Sequence, residues 1–108
     1  MWILMNDAML SIVRHRTRPD DLLVRARLAG DIERVFPQVE VVEGAGSDYR
    51  FRATVPRPEV AEAISRRLLD IDYGNFKNSV REPKRHEAYF DVWHAMHDLQ
   101  EGAKRARG

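Results

Sequence analysis

Two stretches decide the fold: Val24-Arg25-Ala26-Arg27-Leu28 and Tyr49-Arg50-Phe51-Arg52-Ala53. In each, arginine alternates with apolar residues at the period of a β-strand, and in each a helical pattern follows. Side chains of a strand point alternately to opposite faces. Val24, Ala26, Leu28, Tyr49, Phe51 and Ala53 are therefore expected to line a core, with Arg25, Arg27, Arg50 and Arg52 together on the other face.

Working outward, the strand from Leu22 to Leu28 ends at Ala29-Gly30, where Asp31 is placed to cap a short helix, Ile32 to Phe36, stopped by Pro37. Val39 to Glu43 and Tyr49 to Val55 flank Gly44-Ala45-Gly46-Ser47-Asp48, a connection suited to an antiparallel hairpin. A hairpin symmetric about Gly46 sets Glu40 opposite Arg52 and Val42 opposite Arg50, giving one arginine a carboxylate partner. Pro58 then opens a helix in which Val60, Ala61, Ile64, Leu68 and Ile71 recur at helical spacing. Before all this, Trp2 to Val13 reads as two short apolar strands about Asn6-Asp7. After it, Asp72 to Val80 reads as a loop, and a last helix from about Pro83 to Gln100 carries Tyr89, Val92, Trp93, Met96 and Leu99 on one stripe.

The pattern predicts an α+β fold: an N-terminal β-hairpin plus a split β-α-β-β-α unit, a ferredoxin-like variant, with an extra C-terminal helix. In such a unit the two arginine-bearing strands lie side by side at the centre of the sheet and the helices cover one face. No strand is visible after the second helix, so the N-terminal hairpin is expected to supply the missing edge. One domain is expected over residues 1–101, with 102–108 a frayed tail, as suits a chain of 108 residues that is 44% hydrophobic and 32% charged.

Composition excludes several classes of function. The chain has no cysteine, which rules out disulfides, thiolate metal sites and a cysteine nucleophile. Its 18 Lys and Arg against 17 Asp and Glu give a formal charge of +1, so no global field draws nucleic acid. The run Trp2 to Met5 is too short for a signal peptide or a membrane span. The cytoplasm is the expected location, with no membrane partner. Ser11, Ser47, Ser65 and Ser79 lack a nucleophile signature and there is no phosphate-loop pattern, so catalysis has no support in the sequence.

The expected function is a non-catalytic binding or regulatory module that engages a macromolecular partner, an acidic protein in preference to nucleic acid, through Arg25, Arg27, Arg50 and Arg52. Guanidinium forks suit carboxylate and phosphate alike. Asn75 and Lys77, in the aromatic loop, are expected beside them. Nucleic-acid binding by the same face is one alternative, although Tyr49 and Phe51 have the wrong parity for stacking bases. A small metal-dependent hydrolase is another, drawing on His94 with Asp91 and Asp98 on the last helix, where no His-Glu-x-x-His pattern completes a ligand set. No cofactor is expected. Phe90 lies off the apolar stripe, close to His94 and His97, and marks the last helix as a surface for a homodimer or another partner contact.

Asn6-Asp7-Ala8, Leu22 to Arg27, Gly30 to Pro37, Asp48 to Ala53 and Ile71 to Val80 together resemble a family of short bacterial proteins, some borne by mobile elements, with no assigned activity. The resemblance spans most of the chain and implies a complete stand-alone protein. It transfers no site residue.

Overall fold

A computed structural model describes residues 1–44 and 48–107, with side chains through Lys104. The turn residues Ala45, Gly46 and Ser47, about which the second hairpin was centred, lie outside the described residues, as does Gly108. The chain divides into two compact units, Met1–Asp72 and Tyr73–Gly108.

The first unit is a five-stranded antiparallel sheet with two helices. Its strands are β1 (Trp2–Leu4), β2 (Met9–Arg14), β3 (Asp21–Ala26), β4 (Val42–Glu43) and β5 (Phe51–Pro56), in the order β1-β2-β3-β5-β4. The helices are α1 (Asp31–Val35) and α2 (Arg57–Leu69). The α+β expectation holds: the two arginine-bearing strands, β3 and β5, are central neighbours, and the β1–β2 hairpin occupies the edge that a later strand would have filled.

The register explains the core. Ile12 pairs with Val24 and Val24 with Ala53, while Leu22 pairs with Val55. Directly paired residues share a face, so these rows point together toward α1 and α2, both of which pack on β3 and β5. Leu10, Val24, Ala26, Ile32 and Val55 are wholly buried there. Each large apolar side chain so placed contributes about 1.5–3 kcal/mol. Along α2 the buried face is Val60, Ala63 and Ile64, not the longer stripe expected. Ala61, Leu68 and Ile71 are exposed, because the sheet supports only the early turns of this helix.

Asp31 does not cap α1 with its side chain. The cap is Gly30, whose φ of 92° is left-handed and favours glycine, with the Arg34 guanidinium 3.3 Å from where a Cβ would stand. Asp31 is instead buried, accepting hydrogen bonds from the Met9 backbone N–H (3.0 Å) and from Arg34 Nη1 (2.8 Å). Arg34 also donates to the Asp7 carbonyl. Arg67 of α2 donates to the Asp7 carboxylate (2.7 Å) and to the Arg34 carbonyl (3.0 Å). One polar network thus fastens both helices to the turn of the first hairpin.

The second unit holds α3 (Phe76–Ser79) and α4 (Pro83–Arg107). The segment expected to be an irregular loop contains α3, capped by Asn75 Oδ1, which accepts from the Asn78 N–H. Helix α4 runs past Gln100, where it was expected to stop, to Arg107. Glu82 starts it, accepting from the N–H groups of Lys84 (3.1 Å) and Arg85 (2.7 Å), with Pro83 in the first turn. Those two bonds hold the Glu82 carboxyl below its ordinary range. Among the described residues no helix is long and apolar enough to cross a membrane.

Replacing Asp31 by alanine strands the Met9 N–H and unties Arg34, and is expected to cost about 2–4 kcal/mol. Asp31→Asn, which keeps an acceptor, should cost less. Urea unfolding checks both. A shift in Asp31→Ala below about 1 kcal/mol would show that the network is ornamental to the fold.

Candidate functional site

The register that builds the core also builds a continuous row on the opposite face. Trp2 pairs with Ser11, Ser11 with Arg25, Arg25 with Arg52 and Arg52 with Val42, so one line of side chains crosses all five strands. A second row, Val13–Leu23–Thr54, lies beside it. At the centre two guanidinium-bearing residues are direct cross-strand neighbours, an arrangement that destabilises a sheet when nothing lies between them.

Their surroundings differ from the expected ones. Arg25 Nη2 donates to the buried Ser11 hydroxyl (2.7 Å), but its Nε and that of Arg52 are buried with no hydrogen-bond partner among the described residues. Glu40 does not face Arg52. Strand β4 is only two residues long, and its register places Val42 opposite Arg52 and Glu43 opposite Phe51. The hairpin closes through the Gly44 N–H on the Arg50 carbonyl (2.8 Å), two positions away from the symmetric arrangement about Gly46. Among the described residues, Arg25, Arg50 and Arg52 have no carboxylate within ion-pair distance.

Only Arg27 of the four is paired, and its partner is Asp48. The guanidinium grips that carboxylate through Nη1 (3.0 Å) and Nη2 (3.3 Å) and also reaches the Asp48 carbonyl (3.2 Å). The hydrogen bonds from Arg27, then its charge and that of Arg25, hold the Asp48 carboxyl below the usual carboxylate range. Both groups are exposed, so solvent screens the pair.

Tyr49 is the largest departure. It is buried, as expected, but outside the apolar core cluster. The guanidinium carbons of Arg25 and Arg27 lie 4.4 and 4.2 Å from its ring centroid. Strand β5 begins at Phe51, and Asp48 to Arg50 form a bend, so the alternation that would have turned Tyr49 inward does not reach it. The ring braces two guanidinium groups by cation–π contact. Sequence reading missed this, as it missed Ser11. The run Asp48-Tyr49 before a strand is the only local hint, since a bend there frees the tyrosine from strand parity.

The other expected site residues are engaged inside the second unit. Asn75 caps α3, and Lys77 Nζ sits over the rings of Trp93 (4.4 Å) and Phe90 (5.2 Å). His94 lies edge-on to Phe90 (4.6 Å) and Trp93 (5.2 Å), while His97 stacks on Trp93 (5.0 Å). Asp91, His94 and Asp98 do not gather: among the described residues no group of three or more histidine, aspartate or glutamate side chains could hold a metal ion.

Compared with known protein families, curated proteins and solved structures, the chain matches none. The site therefore stands on its own geometry, and a stability measurement separates a binding surface from a supporting wall. A wall loses stability when an arginine is removed. An anion-binding surface gains it in the free protein, because the cross-strand repulsion and a buried unpaired donor go together. Arg52→Met is expected to stabilise the protein by about 1 kcal/mol in urea unfolding; a clear loss would make Arg52 a structural support. The Asp48 pair has a pH signature. A carboxylate whose folded value is depressed contributes stability above its unfolded value and loses it as pH falls through the folded one. Any stability difference between the wild type and Asp48→Asn near neutral pH should therefore disappear on acidification through the carboxylate range. A difference unchanged by acid would detach it from this ion pair.

Proposed function

We propose that this protein is a non-catalytic binding module that docks an acidic segment of a partner protein on the sheet face of Arg25, Arg27, Arg50 and Arg52. The observation that carries this reading is the Arg25–Arg52 pair, two opposed cations with buried Nε–H groups that lack acceptors among the described residues. A buried donor left unmade costs about 1–3 kcal/mol. A partner carboxylate at the guanidinium ends of the two residues offsets their repulsion. Ser11 and Tyr49 hold Arg25 in place beforehand, which lowers the ordering cost of binding.

The choice of a protein partner over nucleic acid rests on what surrounds the arginines. The row ends in the exposed apolar residues Trp2 and Val42, with Val13 and Leu23 half-buried alongside. Arginine with aromatic and aliphatic neighbours, and few lysines, is the composition of protein interface cores. The first lysine of the chain is Lys77, so the first unit offers forked donors without the lysines of a general phosphate-binding surface. The Tyr49 ring, covered by two guanidinium groups, is closed to base stacking.

Capture from cell extract tests the reading, comparing the wild type with an Arg25→Ala/Arg52→Ala variant, each with and without nuclease. A bound protein that survives nuclease and is lost from the double variant is expected. Capture abolished by nuclease, with binding that falls steeply as salt rises, would make the face a nucleic-acid surface instead. A labelled glutamate-rich peptide gives the quantitative arm. Arg52→Lys, which keeps the charge and loses the fork, should weaken it about tenfold. Asp48→Asn, which frees Arg27 from its internal carboxylate, should strengthen it.

A further inference from the structure

Along β2 the face that carries the arginines alternates in character. Met9 and Val13 are half-buried on it, two positions to either side of Ser11, and Leu23 of β3 stands beside Val13. Ser11 itself is buried, with the Arg25 guanidinium bonded to its hydroxyl at 2.7 Å, so positive charge sits in the middle of an apolar line. Arg52 of β5 stands beside Arg25 and adds a second guanidinium there. The order met along the strand is therefore apolar, cationic, apolar. Strands β2 and β3 each have a bonded neighbour on either side, so the middle of this face presents side chains to a partner.

Resting on the docking role proposed above, we infer that the acidic partner segment is an α-helix laid along β2 and β3, with one carboxylate between two apolar side chains on its contacting face. Backbone chemistry selects the helix. A segment seated on a sheet face gains no backbone partners from it, and a helix satisfies its own N–H and C=O groups. An extended segment would carry apolar, acidic and apolar residues at every second position and leave its backbone groups unmade against side chains. Spacing sets the pattern of the helix. Two residues of a strand advance about 6.6 Å and four residues of a helix about 6 Å. Helix positions i, i+4 and i+8 share one face and so fall level with Met9, Ser11 and Val13. Apolar side chains at i and i+8 then meet Met9 at one end and Val13 with Leu23 at the other. The carboxylate at i+4 reaches the guanidinium ends of Arg25 and Arg52.

Fluorescence anisotropy with three labelled peptides of one composition tests this on the wild-type protein, so the comparison does not depend on how any variant folds. The first peptide has leucine at i and i+8 and glutamate at i+4. In the second the glutamate is moved to i+6, on the far side of the helix. In the third, leucine, glutamate and leucine occupy every second position. The first should bind at least about tenfold tighter than either of the others, and should gain helical circular dichroism when bound. Its binding should be lost from the Arg25→Ala/Arg52→Ala variant. Equal binding of the first and second peptides, or tightest binding of the third, would overturn the helix and leave the acidic docking role standing, provided the arginine variant loses it. Silence from all three up to about 1 mM, while an arginine-dependent protein is still captured from extract, would again overturn the helix alone. Silence in both experiments, or binding that persists in the arginine variant, would remove the docking role with it.

Discussion

The antiparallel pairing of β3 with β5, Val24 against Ala53 and Arg25 against Arg52, is the constraint on which the rest of the first unit depends. Because side chains alternate with a period of two, a slip of one residue in either strand would turn its arginine into the core and carry Val24 or Ala53 out of it. Desolvating a guanidinium group among aliphatic side chains is costly enough to forbid that slip. The same pairing therefore seats α1 and α2 on one face and aligns the arginines on the other. The buried Asp31 carboxylate locks the result, holding the start of β2 through Met9 and α1 through Arg34.

The energetics of the two faces are unequal, and this is what lets the arginine row exist. A like-charge pair directly opposite on neighbouring strands costs up to about 1 kcal/mol, and an unmade buried donor about 1–3 kcal/mol. Leu10, Val24, Ile32 and Val55 on the other face each return about 1.5–3 kcal/mol by burial, so the sheet tolerates the row with a margin. The proposed docking role would give that cost a reason, since a surface held in place by Ser11 and Tyr49 is suited to recognition.

The second unit follows a simpler logic. Glu82 satisfies the first free N–H groups of α4, and Phe76 and Lys77 of α3 pack on Tyr89, Phe90 and Trp93. A helix of 25 residues is about 37 Å long, and a four-residue helix can shelter only one end of it. The apolar positions beyond Tyr89 are thus left exposed.

The architecture was legible in the sequence wherever a local rule governs it. Alternation in Val24 to Ala26 and Phe51 to Ala53, the turn at Asn6-Asp7 and the start of the helix after Pro58 each act within a few residues, and each held; Leu28, beyond the end of β3, was expected in the core and is 52% exposed. The place of Arg25 and Arg52 opposite the core was legible for the same reason, whereas Arg27 and Arg50 fall beyond the strand ends. Their partners were not. Whether Arg52 meets Glu40 or Val42 depends on where two strands stop and how their turn closes, a long-range matter that parity cannot see. Tyr49 turned from the core because a bend replaced the first residues of the expected strand, and Asp31 left its capping role because the Met9 N–H, distant in sequence, needed an acceptor. The sequence by itself determined which face of each central strand turns inward, since hydrophobic periodicity is a local property. Only the tertiary structure decided that Arg25 and Arg52 stand opposed without a carboxylate between them, because pairing is settled by register across the sheet.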